Sequence, residues 1–285
     1  KYRNKKFDIK KPIQLIDKHF ADLKNQYKWG TNPYYYYAAE NKIHPTFIQT
    51  ILEYNKYSPE EIISKIKFLS QQDSRKFSNA LLNENVGSNK LFPGTWNPKE
   101  EIKDREVLIL GNGPSIKKYK KKLEKYIKKK NPFVIALNIE KSINEKLINS
   151  RAACVPVRIF SDHTSYKEFK QNFILPFTAQ SPEIQKNLKK VKTKNYGFLS
   201  KGKNFEFFDT YATSPYMFAL AYALAIANSG EAKSILLAGI DGYINNDALN
   251  SEMNELIKSY HKNVKSIKAI SITPTKYKID TKSVF

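Results

Sequence analysis

In the second half of the chain, short apolar runs alternate with longer stretches of helical spacing. The runs fall at 106–110, 133–137, 155–160, 174–178, 205–208, 234–239 and 268–272. They are strand-sized, and turn-forming residues bound several of them. Between them, 115–129, 140–148, 182–189, 214–228 and 250–263 read as helices, most with apolar residues three and four apart. Strands alternating with helices predict an α/β fold, a Rossmann-like and mostly parallel sheet with helices on both faces. The ligand crevice of such a sheet lies outside the carboxyl ends of its strands.

The first ninety or so residues carry no strand signal and predict a small all-α domain. Pro12–Tyr27 places Ile13, Leu15, Ile16, Phe20 and Leu23 on one face and stops before Gly30. Asn32-Pro33 and His44-Pro45 each open a further helix, and Ser58-Pro59-Glu60-Glu61 is a capping box ahead of Ile62, Ile63, Ile66 and Leu69. Asp73 caps a last helix through Phe77 and Leu81. The Pro/Gly segment Leu91–Pro98 sets the boundary, giving domains at 1–92 and 93–285.

Composition narrows the chemistry. The single cysteine, Cys154, excludes an internal disulfide and a Cys-based zinc site, and the four histidines have no metal spacing. No metal is expected. No run approaches the roughly 18 apolar residues a membrane span needs. The start, Lys1-Tyr2-Arg3-Asn4-Lys5-Lys6, lacks a hydrophobic signal core and reads as the interior of a longer chain. The expected location is cytoplasmic, with peripheral contact at the inner membrane as an extension. The net charge of +22 comes mostly from lysine. Specific nucleic-acid readers favour Arg and exposed aromatics, so no specific nucleic acid is expected. The densest run, 117–130, holds nine lysines, with Ile116, Tyr119, Leu123, Tyr126 and Ile127 at helical spacing. It predicts a solvated cationic face, with an anionic membrane surface or polyanionic glycan as the alternative use.

The stretch with most chemical content is Val107 to Ser115. An apolar strand ends in Gly111-Asn112-Gly113-Pro114-Ser115, and the lysine-rich helix follows. Gly111 and Gly113 are free to take positive φ and leave room for a ligand. Pro114 suits a first helical turn, and the Ser115 hydroxyl stands beside free backbone N–H groups. The expectation is an anion pocket at a helix N-terminus, and the alternative is an ordinary strand-to-helix turn. A dinucleotide fingerprint is incomplete: Ile116 stands at the third glycine, and the second strand ends in Asn138 rather than a carboxylate. No Walker lysine follows the turn.

Two resemblances extend this reading. Lys28-Trp29-Gly30-Thr31-Asn32-Pro33-Tyr34-Tyr35-Tyr36-Tyr37-Ala38-Ala39, with Asn41 and Ile43-His44-Pro45, resembles the helical region after the barrel in 4-hydroxy-2-oxovalerate aldolases of the HMG-CoA-lyase-like family. The family's metal and proton-transfer residues belong to the barrel, so none is carried over. From about 105 to 274 the chain resembles glycosyltransferase family 42, the bacterial sialyltransferases, and related Gly-x-Gly-Pro-Ser domains. The carrying blocks are Ile109–Ser115, Ile135-Ala136-Leu137-Asn138, Ala212-Thr213-Ser214-Pro215-Tyr216-Met217 and Ser234–Tyr243. The resemblance implies CMP or a CMP-sugar as ligand. It implies Gly111, Asn112, Gly113, Ser115, Asn138 and Ser214 as the nucleotide-binding positions and Tyr243 at the donor phosphate.

The chain departs from that family too. The lid histidine is missing from the short segment after Tyr243. Tyr211 stands where the family has Arg, and Ser161 where its third strand has Asn. His163, in Ser161-Asp162-His163, is the one nominee for a general base. Thr213-Ser214-Pro215 also reads as a plain helix cap, and Asp241 as a residue that binds backbone in a turn. The expected function is nucleotide or CMP-sugar handling in bacterial lipopolysaccharide or capsule biosynthesis, as the C-terminal part of an aldolase-containing protein. Its partners are then a nucleotide-sugar and a glycan acceptor, with a homo-oligomer left open. The alternative is a non-catalytic binding or assembly domain of a pyruvate aldolase. Catalysis is left open by these residues.

Overall fold

The structure, a computed structural model, describes residues 15, 18–20, 32–53, 59–70, 74–75, 91–180, 182–243 and 247–283. Its centre is a seven-stranded sheet built from β1 (Glu106–Leu110), β2 (Phe133–Leu137), β3 (Ser150–Ala152), β4 (Asn172–Leu175), β5 (Thr193–Asn195), β9 (Ser234–Ala238) and β10 (Ala269–Ser271). The order is β10-β9-β1-β2-β3-β4-β5, and every neighbouring pair is parallel. The chain steps outward from β1 to β5 and then returns to the other side of β1. That reversal sets a topological switch point between β1 and β9. Leu110 lies beside Ala136 of β2 and Ala238 of β9. Gly111, Asn138 and Gly239 therefore follow three adjacent strands at one rim.

The central strands are uninterrupted apolar runs because both faces are covered. Val107 to Leu110 and Val134 to Ala136 are wholly buried. On one face, α8 (Ala219–Ser229) and α9 (Asp247–Lys262) pack against Val107, Ile109, Ile135 and Ile235. On the other, α5 (Pro114–Lys130) sets Ile116, Leu123 and Ile127 against Leu108, Leu110, Val134 and Leu236. Two shorter helices, α6 (Pro156–Asp162) and α7 (Pro182–Leu188), follow β3 and β4. A single turn of helix, α4 (Lys99–Ile102), precedes β1.

A second sheet, β6 (Gly197–Ser200), β7 (Glu206–Phe207) and β8 (Tyr211–Ser214), has the order β6-β8-β7. Its β6–β8 pair is parallel and its β7–β8 pair antiparallel. The N-terminal helices α1 (Pro33–Glu40), α2 (Pro45–Glu53) and α3 (Pro59–Ser70) bury Ala38, Phe47, Ile48, Ile51, Ile66 and Leu69 together. Asn32 caps α1 by accepting from the Tyr34 N–H at 2.9 Å. Helix α3 packs on α6, so these helices meet the α/β layer. The linker belongs with the second half: Gly94 N–H donates to Thr210, and Trp96 is buried in the larger core.

Several expected elements differ. The run at 155–160 is helix α6, not a strand, because Pro156 opens a helix behind an extended Val155. The strand there is Ser150-Arg151-Ala152, which reads as polar yet is fully buried. Its Arg151 is held by the Glu140 carbonyl at 2.6 Å and by Gln171. The helix expected at 140–148 reduces to a 3-10 turn at Glu145–Leu147. The helix expected from 214 starts at Ala219, since Tyr211–Ser214 is strand. Strands β5 and β6 were not expected: β5 is polar, and β6 offers only Phe198 and Leu199 as apolar residues. Pro12–Tyr27 is described only at 15 and 18–20, which are helical, and the helix expected from Asp73 lies outside the described residues apart from a turn at 74–75.

Candidate functional site

The site is the rim at the switch point, and its first component is the β1 turn. Gly111 N–H donates to the Ala238 carbonyl at 2.8 Å, and Gly113 N–H to Gly239 at 2.9 Å. These bonds stitch the turn to the end of β9. Neither Gly111 nor Gly113 has positive φ; the left-handed positions here are Gly239 (+72°), Gly242 (+112°) and Asn138 (+53°). The need for glycine is steric. A Cβ on Gly111 would strike the Gly239 carbonyl, and one on Gly239 would strike the Ile116 side chain. A Cβ on Gly113 would stand 2.5 Å from Cγ of Asp241. The glycines let two loops of the same chain approach each other rather than leaving space for a ligand.

Asp241 changes the expected chemistry of the turn. Its Oδ2 accepts the Ser115 N–H at 2.7 Å, and its Oδ1 accepts the Ser115 hydroxyl. The Ile116 N–H donates to Gly113 at 3.1 Å. An internal carboxylate thus caps α5 across 126 residues of sequence, and the helix dipole favours it there. The anion pocket expected at Gly111–Ser115 is already filled by Asp241. Its loop is braced in turn: Thr273 Oγ1 accepts from Gly239 N–H, and Thr275 Oγ1 donates to the Ile240 carbonyl at 2.6 Å. The Lys276 N–H donates to the Asp241 carbonyl. The sequence offered Asp241 as a turn residue; its long-range partner and the role of Thr273 had no local signal.

Asn138 is different. It ends β2 in the left-handed region, which Asn tolerates better than most residues. Its N–H donates to Ala152 at 2.9 Å, but its side-chain carbonyl oxygen is buried with no partner. A buried acceptor without a donor costs about 1–3 kcal/mol. Asn112 stands exposed on the neighbouring turn. Two amide side chains, each donor and acceptor, therefore flank the crevice, and that set matches hydroxyl-rich ligands.

Ser214 is fully buried at the end of β8. Its hydroxyl donates to the Tyr216 carbonyl at 2.7 Å and accepts from the Tyr216 N–H at 3.2 Å. That closes a local turn rather than capping α8, whose N-cap is Phe218. The Cys154 thiol donates to the Phe218 carbonyl at 3.5 Å, which sets the start of α8 beside the end of β3. Burial pushes that thiol well above its usual range, so it is not a thiolate at neutral pH. Tyr243 is exposed after the Asp241 loop, with its backbone N–H and carbonyl both bonded to the Asn250 side chain at 2.9 Å. Nearby, the Tyr216 phenol donates to Glu255, and that bond pushes its pKa up to about 12.

His163 is not brought to this rim. It follows the last turn of α6, and its Nε2 lies 3.2 Å from Nδ2 of Asn187 near the end of α7. In a parallel sheet the crossover helices run back along the strands, so these ends face away from the strands' carboxyl ends. The structure thus gathers Gly111, Asn112, Gly113, Ser115, Asn138 and the loop leading to Tyr243, turns Ser214 inward, and sets His163 apart. Among the described residues no cluster of His, Cys, Asp or Glu could hold a metal ion. No helix among them is long and apolar enough to cross a membrane. Comparison with protein-family models, curated proteins and solved structures finds no match for this chain.

Proposed function

We propose that the rim binds a nucleotide, CMP or a CMP-sugar, in a glycosyltransferase-like role in surface-polysaccharide synthesis. The observation that carries this reading is the unanswered side-chain oxygen of Asn138 at the end of β2. It sits where an α/β sheet of this topology holds the ribose of a nucleotide, and a sugar hydroxyl is the donor it lacks. Asn112 would supply a second amide. Phosphate groups would lie off the β1 turn, because the Asp241 carboxylate holds that position, and the Tyr243 phenol is the nearest nominee to donate to them. No residue is assigned as base, and no aldolase step is assigned to residues of this chain.

A second reading is favoured by one specific feature, the Asp241 cap. A turn that resembles a nucleotide loop but is closed by its own carboxylate suits a domain kept for binding or assembly after losing transfer. The two readings part in a melting experiment. CMP at 100 times its dissociation constant stabilises a fold by about 2.7 kcal/mol. The nucleotide reading expects a rise in the melting midpoint with CMP or CDP that Asn138→Gly abolishes. No shift with either nucleotide at millimolar concentration leaves the assembly reading.

A further inference from the structure

We infer that the outer face of α5 is a docking surface for an anionic lipid bilayer. Seventeen residues make the helix about 25 Å long. Its inner stripe, Ile116, Leu123 and Ile127, is fixed against the sheet, so the opposite face is presented rigidly. At about 100° per residue, Lys117, Lys121, Lys125 and Lys128 form one row along that face, and Lys118, Lys122 and Lys129 a second row beside it. All nine lysines of the helix are exposed. The one acidic residue, Glu124, is turned to the flank, where it accepts from the Asn144 N–H at 2.9 Å. The Lys118 and Lys122 amines stand 5.7 and 6.0 Å from the centre of the Tyr119 ring, at the border of the face.

Charge complementarity and shape select the occupant. A straight convex face of amines meets a planar anionic surface along its whole length. The face carries no Arg for bidentate phosphate contact and no exposed aromatic for base stacking, which are the devices of nucleic-acid recognition. It carries no apolar side chain to insert, so the attachment is electrostatic, shallow and salt-sensitive. This inference uses none of the residues assigned to the nucleotide, and either reading can fail without the other.

The test is sedimentation of the protein with vesicles of phosphatidylcholine alone and of phosphatidylcholine and phosphatidylserine in equal parts. Binding to the anionic vesicles only, lost at high salt, is expected. Each lysine at such a surface contributes about fivefold in affinity. Changing Lys117, Lys121, Lys125 and Lys128 to Gln should therefore weaken binding by several hundredfold, on the order expected for four such contacts. Arg at the same four positions should preserve it. A charge-matched control changes Lys186, Lys189, Lys190 and Lys192, exposed toward the β5 edge of the sheet, to Gln and should lose little. Melting curves establish that each variant is folded. The inference is overturned if the parent ignores anionic vesicles, or if both fourfold Gln variants lose binding equally. It is also overturned if single-stranded RNA binds through α5 more tightly than the vesicles at physiological salt.

Discussion

The ends of β1 and β2 lie side by side at one rim, yet they treat their polar groups in opposite ways. After β1, the Ser115 N–H and hydroxyl both go to Asp241, and the glycines make room for that contact. After β2, Asn138 adopts a left-handed backbone and leaves its side-chain oxygen buried and unanswered. The segment that looks most like a phosphate loop is thus an internal lock, while the plainer neighbour keeps an open valence. A Gly-rich turn at a helix N-terminus has two physical uses, admitting a ligand anion or admitting the chain's own carboxylate. Only the long-range partner tells them apart.

The largest effect expected from disturbing the lock is at Gly239. Gly239→Ala adds a methyl against Ile116 at a positive φ, and the two costs together should reach roughly 3 kcal/mol. Gly202 also has positive φ but open space around it, so Gly202→Ala should cost only about 1–2 kcal/mol. Denaturant unfolding of both measures the difference, and equal losses would mean that packing between the loops contributes nothing.

Removing the cap comes next. Asp241→Ala should destabilise by about 1–2 kcal/mol, as loss of a helix N-cap does. It should also open the N-terminus of α5, so that sulfate raises the melting midpoint of the variant more than that of the parent. Equal protection of both proteins by sulfate would contradict the view that Asp241 fills the anion position.

The smallest effect lies at the other end of β9, away from the rim. Lys99 pairs with Glu231 at 2.8 Å and with Asp209 at 3.2 Å. The Lys99 amine holds the Glu231 carboxyl below its ordinary value of 4.5. As pH falls, the unfolded chain takes up that proton first. The contribution is therefore present above pH 4.5 and lost as pH falls through the depressed folded value. The same contacts raise Lys99 above 10.5, so its own share is fully present below that pH and lost only in more alkaline solution. Glu231→Gln should flatten the acid limb of a melting-versus-pH curve slightly and leave the rim's ligand response unchanged.

How much of this was legible in the sequence depends on what holds each element. Strands β1, β2 and β9 are continuous apolar runs buried on both faces, and their bounds match the pattern closely. Strand β3 was missed because its buried Arg151 is satisfied by the Glu140 carbonyl and Gln171, partners that folding supplies. Strand β5 was missed because it is a partly exposed edge with the polar sequence Thr-Lys-Asn. Helix α6 was mistaken for a strand because Val155, Val157 and Ile159 outweighed the helix-start signal of Pro156. At the site, the turn, Asn138 and the Asp241 loop were legible as the ends of apolar runs. The Asp241–Ser115 contact was not, since it depends on β9 returning beside β1.

The most direct test of the account is calorimetric titration of CMP into the parent protein, Asn138→Gly and Asp241→Ala. Glycine keeps the left-handed backbone at 138 and removes the unanswered oxygen, so that variant should fold with little change in stability. The account predicts that CMP binds the parent, that binding is lost in Asn138→Gly, and that Asp241→Ala still binds. Equal binding by the parent and Asn138→Gly would contradict it, as would CMP binding that appears only once Asp241 is removed.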